Sequence, residues 1–393
     1  MDGHGTLADM TTSADPFDPT ASTHRPLRIQ EPGDLLAAVP ALLGFRPEQS
    51  VILVCLGGDS GTALGAVLRH DLLLGDPPEA GIPAPMTAVF EQFAAVCARE
   101  RARRAIAVLV DAHAGCAPPG VWVAAPATDA DVRRSLHVAL VDALAEHLAD
   151  VGAQLTGVHV TAAIEAGQPW WSLLGDVRGG TIPDPAASTV AVAHVLGGRQ
   201  IHRSRAELTR LIGRDGRVRA VARQLRAARA AEPRLRDGDQ HDRHARKKLE
   251  FVLFECDKLA AGESLSPSEF AALAIALEYR VVRDAVMALS VGERRVAAEA
   301  LWLNLTRVLP DPERADAATL LGYSAYVRGD GPLAGIAFAA ALDSDPEHRL
   351  AGLLDACLQG GLRPEAMREL ADTGYEQAAR LGVALPTAVV SWP

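Results

Sequence analysis

The chain has 393 residues, 49% hydrophobic and 22% charged, with a net charge of −10. That length is too great for one small core and suits two domains, and the composition predicts a folded chain rather than a disordered one. Of 39 basic residues only three, Lys247, Lys248 and Lys258, are lysines, so a phosphate-cradling Walker loop or a Schiff-base lysine has almost nowhere to sit.

The first 26 residues are polar and rich in Asp, Thr and Pro, and read as a mobile tail. Residues 34–43 (DLLAAVPALL) predict a short helix interrupted at Pro40, closed by the turn Gly44-Phe45-Arg46-Pro47. The apolar run Val51–Leu56 predicts a buried strand, and 63–70 (ALGAVLRH) a second one. The Gly57–Gly61 turn joins them as a hairpin. Its Gly58-Asp59-Ser60-Gly61 echoes the nucleophile segment of trypsin-like proteases, but a hairpin turn lacks the paired His and Asp of that fold, so Ser60 reads as a turn residue. A helix is predicted over 86–103 and a strand over 105–110, ending at Asp111. A long helix follows over 131–150, capped by Asp129 or Asp131, and then a strand over 155–164. Strands alternating with helices predict an α/β domain over residues 27–185, a mixed sheet with flanking helices.

After Pro169 the character changes. Trp170-Trp171-Ser172 leads into a Gly/Pro/Asp-rich loop, and from 186 only helical periodicity remains. Helices are predicted over 186–197, 204–212, 216–231, 244–261, 267–289, 292–308, 314–328, 332–343, 347–358 and 364–371, with 232–243 as a polar linker. Connecting helices thus span 186–262, a helical domain 263–372 and a tail 373–393. Within the helical domain, Leu321-Gly322, Ala334, Phe338, Ala341 and Pro346 fall at tetratricopeptide offsets, a resemblance that implies one helical hairpin with a degenerate neighbour.

A further resemblance extends along the chain. It is carried by Asp34–Pro40, Leu43–Glu48, Ser50-Val51, Leu68–Leu72, Trp171-Ser172, Ala186–Gly198, Ser204–Leu208, Gly329–Gly331 and Ala341–Leu354. On these motifs residues 27–372 resemble domain-of-unknown-function family 4192, seen in high-GC actinobacteria, and the Arg-rich, Lys-poor composition agrees with a GC-rich genome. The resemblance implies an architecture and brings no established activity with it.

Five cysteines lie scattered with no C-x-x-C pair, which offers no zinc site or disulfide framework and predicts buried free thiols in a reducing cytosol. No signal-peptide pattern and no apolar run of about 18 residues appears, so the expectation is a soluble cytoplasmic protein without a membrane partner. Asp239, His241, Asp242 and His244 sit among arginines and read as a solvated loop rather than metal ligands, and no cofactor is expected. Residues 199–248 hold 16 Arg/Lys and six Asp/Glu, a local charge of +10, so the rest carries −20. Arg219, Arg223 and Arg226, at i, i+4 and i+7 with Arg229 beside them, form a basic stripe. Without interleaved aromatics it is expected to dock on carboxylates such as Glu263, Glu269, Glu293 or Glu299, which disfavours nucleic acid as a partner.

Two functional expectations follow. The first is a protein-interaction or scaffold module that docks a protein partner on the helical region. The second is an enzyme or small-ligand site at the sheet ends, where Arg69, Asp71, Asp111 and His113 would converge, with Trp171 as a stacking surface unless, as is commoner for such a pair, Trp170 and Trp171 plug the seam between the sheet and the helical region. That site requires the strands carrying Asp71 and Asp111 to point the same way.

Overall fold

The computed structural model describes residues 31–57, 63–75, 82–114, 129–174, 179–196, 200–233 and 238–386. The expected tail over 1–26, the hairpin turn with Ser60, and the capping side chains of Asp129 and Asp131 lie outside the described residues.

Helix α1 (Pro32–Leu43) starts on a proline and ends where Gly44 takes the left-handed conformation, φ 71°. It runs through Pro40 instead of stopping there. The one hydrogen bond Pro40 removes is outweighed by Leu36, Val39 and Leu43, all buried against the sheet. Strands β1 (Ser50–Gly57) and β2 (Ala63–Asp71) form an antiparallel pair. Next come α2 (Ala84–Arg99), β3 (Arg104–Val110), α3 (Asp129–Asp150) and β4 (Gln154–Thr161). The β3–α3–β4 unit supplies the parallel strand pair among the described strands of the sheet, as a crossover helix permits.

Two strands were not foreseen, β5 (Pro169–Leu174) and β6 (Gly179–Thr181). The sheet order is β2-β1-β3-β4-β5-β6. Trp170 and Trp171 therefore belong to a strand and alternate across it, Trp170 toward α1 and Trp171 toward α2 and α3. Gly180 is required beneath Trp170, since a Cβ there would come within 3.2 Å of Nε1. The Gly-rich edge strand carries no apolar alternation to read.

One sheet face (Val51, Leu53, Cys55, Leu109) is covered by Phe90 and Phe93 of α2 and Leu140 and Leu144 of α3. The opposite face (Ile52, Val54, Val108, Val110) packs on α1, and its apolar cluster continues without a break into the helical region. Cys55 and Cys97, 42 positions apart, meet in the first core with their thiols 3.4 Å apart.

The helical region runs α4 (Thr189–Leu196), α5 (Arg205–Leu211), α6 (Val218–Ala231), α7 (Asp239–Ala260), α8 (Pro267–Glu278), α9 (Arg280–Val286), α10 (Arg295–Val308), α11 (Arg314–Val327), α12 (Gly331–Ser344), α13 (Arg349–Gln359) and α14 (Pro364–Arg380). The single helix expected over 267–289 breaks at Tyr279, which takes extended backbone so that its hydroxyl donates to Glu232, 2.9 Å away. Helix α7 begins at Asp239, five residues before its expected start, so His241 and His244 lie on a helix. His241 stacks on Tyr279 and His244 bonds Glu232 at 2.8 Å.

Helices α11 and α12 pack closely on each other at Gly322, whose missing side chain makes room for the Phe338 ring. Helix α11 is the centre of the bundle, buried along its length except at Asp316, with α10 and α12 against it. Its Tyr323 and Tyr326 hydroxyls donate to the carbonyls of Met367 and Leu362. Among the described residues no helix is long and apolar enough to cross a membrane.

Candidate functional site

Strand β1 is antiparallel to both of its neighbours, so β2 and β3 run in the same direction on either side of it. Ser50 opposes Asp71 on one side and Val110 on the other, which brings Asp71 and Asp111 to the same edge of the sheet. This meets the condition the sequence set, but the two carboxylates point to opposite faces. Arg69 opposes Ile52 and shares the α1 face, as does Asp71 two residues on. Asp111, two residues after Leu109, meets side chains of α3. The expected convergence thus resolves into two places, back to back across the sheet.

On the α1 face, the Arg69 guanidinium is fixed by three partners. Its Nε donates to Ser50 Oγ at 2.8 Å, Nη2 donates to the Glu48 carbonyl at 3.2 Å, and Nη1 lies 2.6 Å from Asp71 Oδ1. Ser50 in turn donates to the Glu48 carbonyl at 2.6 Å, and Phe45 lies under the guanidinium with its ring centre 5.8 Å away. Burial is the main influence lowering the Arg69 pKa; the Asp71 carboxylate opposes it and the nearby Arg205 cation adds to it. The Asp71 carboxyl itself is 62% exposed.

A cleft of about 400 Å³ opens here, lined by Arg69, Asp71, Phe45, Arg46, Arg205 and Ser204. Two backbone bonds assemble it, Arg46 N–H to the His202 carbonyl at 3.0 Å and His202 N–H to the Gly44 carbonyl at 2.8 Å. They join the turn after α1 to the segment leading into α5, where Ser204 Oγ caps the helix by accepting from Glu207 N–H. Arg46, Ser204 and Arg205 did not stand out as site residues in the sequence, because 136 positions separate Arg69 from Arg205 and no local pattern links them. The only signal was that 43–48, 68–72 and 204–208 are among the segments carrying the family resemblance.

On the other face, Asp111 is fully buried and completely partnered. Arg133 donates through Nε and Nη2 at 2.5 and 2.8 Å, His137 Nε2 at 2.8 Å, and the backbone N–H of His113 at 3.0 Å. Burial alone would raise the Asp111 pKa; the bonds from His137, Arg133 and His113 outweigh it and hold the carboxyl well below the usual carboxylate range. This cluster ties α3 to the end of β3. The His113 ring is 72% exposed, with Nδ1 3.7 Å from Asp111 Oδ1, and Trp171 is buried among sheet and helix side chains, with no face open for stacking.

Fold and site together define a mixed α/β protein whose sheet edge meets a helical body at a polar, arginine-lined cleft. The family model for the domain of unknown function DUF4192 matches residues 32–365, and the chain belongs to that family. No curated protein and no solved structure gives a significant match.

Proposed function

We propose that this protein binds a small anionic ligand, bearing a carboxylate or a phosphate, in the cleft between the sheet edge and α5. The observation that carries this reading is the pair of arginines turned on one space. Arg69 is locked in place by Ser50, Glu48 and Asp71, and Arg205 stands near enough to depress its pKa. A bound anion relieves that like-charge repulsion without moving either side chain, and a preorganised guanidinium loses little entropy on binding. Asp71, largely exposed, offers an acceptor to any hydroxyl or amino group on the same ligand. A cytoplasmic location is part of this reading, supported by the unpaired state of the described cysteines.

The test is a thermal-shift and calorimetric screen of the full chain against small carboxylates and phosphate monoesters in separate arms. One arm should raise the melting temperature. Arg205→Gln, at an exposed position outside the core, should weaken that binding at least tenfold, while His113→Ala on the opposite face should leave it unchanged. No stabilisation by either class at millimolar concentration, or an Arg205→Gln variant that binds like the parent, would remove the proposal.

A further inference from the structure

The basic stripe on α6 does not dock inside the protein. Arg219, Arg223 and Arg226 are exposed, and no ion pair or hydrogen bond from a described residue reaches them. Two of the four carboxylates expected to receive them are turned elsewhere, Glu269 to Lys258 and Glu299 to Arg328. The neutralised arginines of this segment lie beside the three, not among them. Arg217 pairs with Asp215 and lies over Phe270, and Arg229 is held by Glu278 and Glu313.

No Asp or Glu lies within α6, and Glu232 just beyond it is taken by Lys248, His244 and the Tyr279 hydroxyl. Val221 and Leu225 fix the helix to the bundle from its other side, so the three guanidinium groups stand on a rigid support facing solvent.

We propose that α6 is a sequence-independent binding surface for the phosphodiester backbone of a nucleic acid, contacted through Arg219, Arg223 and Arg226. At about 1.5 Å rise per residue the three positions span roughly 10 Å, about three axial rises of one duplex strand at about 3.4 Å each, so each arginine has a phosphate within reach. Arginine forks match phosphate oxygens. An acidic peptide fits less well, since no large apolar side chain is exposed on α6 and such an interface would lack an anchor. The acidic remainder of the chain does not forbid contact, because at about 0.1 M salt its field is screened beyond roughly 10 Å.

The test is fluorescence anisotropy of a labelled 20-base-pair duplex with the full chain between 50 and 200 mM salt. Three phosphate contacts predict a log–log slope of about −2.7, an affinity loss of about 40-fold over that range. Replacing Arg219, Arg223 and Arg226 together by Gln should abolish that slope and leave the melting temperature unchanged. Removing three exposed charges elsewhere (Arg134, Arg349 and Arg380 to Gln) should alter affinity less than twofold. Absence of binding at 50 mM salt, or a triple variant equal to the parent, overturns the proposal. So does equal competition by a poly-glutamate of the same charge, which would assign the surface to an acidic protein partner. The readout is independent of the cleft, so an Arg205→Gln variant that loses its small anion and still binds duplex separates the two proposals.

Discussion

His159 on β4 illustrates how a single buried side chain sets a pH response. It is nearly enclosed, with Nδ1 3.1 Å from Ser172 Oγ and the Trp170 ring edge-on at 5.3 Å, and burial pushes its pKa down to about 4. In the unfolded chain the same imidazole titrates near 6.5. Between those values the unfolded state binds the extra proton, so stability falls as the pH drops from about 6.5 toward 4. At pH 5 this residue removes about 2 kcal/mol of the stability present at pH 7. Urea unfolding of His159→Asn at both pH values should show a difference smaller by that amount; an identical difference in parent and variant would reject the assignment. At the same scale, the Arg69–Asp71 pairing was legible in the sequence, because residues two apart on a strand share a face. The partners of Asp111 were not, since Arg133 and His137 reach it only once the crossover helix α3 is laid on the sheet.

Among the elements, two glycines inside helices mark where neighbours approach most closely. Gly322 of α11 lies against the Phe338 ring, and Gly374 of α14 sits where a Cβ would be 2.8 Å from the backbone nitrogen of Ala288. The second case explains why α14 runs to Arg380 when the periodicity suggested a stop near 371. A mid-helix glycine reads as a terminator in the sequence, yet here it serves contact with the 3-10 turn Met287–Ser290. Gly322→Ala should gain helix propensity and still lose about 1–3 kcal/mol, because the added methyl must push α11 from α12. Phe338→Leu in the same background should recover part of the loss in chemical denaturation. A Gly322→Ala variant as stable as the parent would show that the pair can separate freely.

For the whole molecule, the α1 face of the sheet and the helical bundle share one apolar cluster, from Leu36 and Val108 through Leu208 and Ile212 to Trp302 and Tyr323. At the far end, Arg363 Nη2 lies 2.6 Å from Glu100, and Gln92 donates to the Gln359 side chain at 2.8 Å, which fastens the α13–α14 turn to α2. Exposed pairs of this kind contribute little, so the coupling rests on the shared apolar cluster. Urea unfolding should therefore be one transition, with Trp fluorescence and far-ultraviolet circular dichroism coincident. Two separated transitions would mean that the sheet and the bundle are independently stable.

The sequence by itself determined the fold class and most of the elements in order, though not the strands β5 and β6 or the break at Tyr279. Apolar runs of period 2 or 3.6 are local signals, and they marked the first four strands, the change to helices after 186 and the tight α11–α12 hairpin through its small residues. The family was legible too, from motifs spread over the chain. Only the tertiary structure decided that Asp71 and Asp111 share an edge but not a face, that Arg205 joins Arg69 in one cleft, and that Arg219, Arg223 and Arg226 meet no carboxylate among the described residues. Each of these depends on strand register or helix docking between segments tens to more than a hundred residues apart. A shift of one residue in register reverses which face a side chain takes, and no local pattern of residue types carries that information.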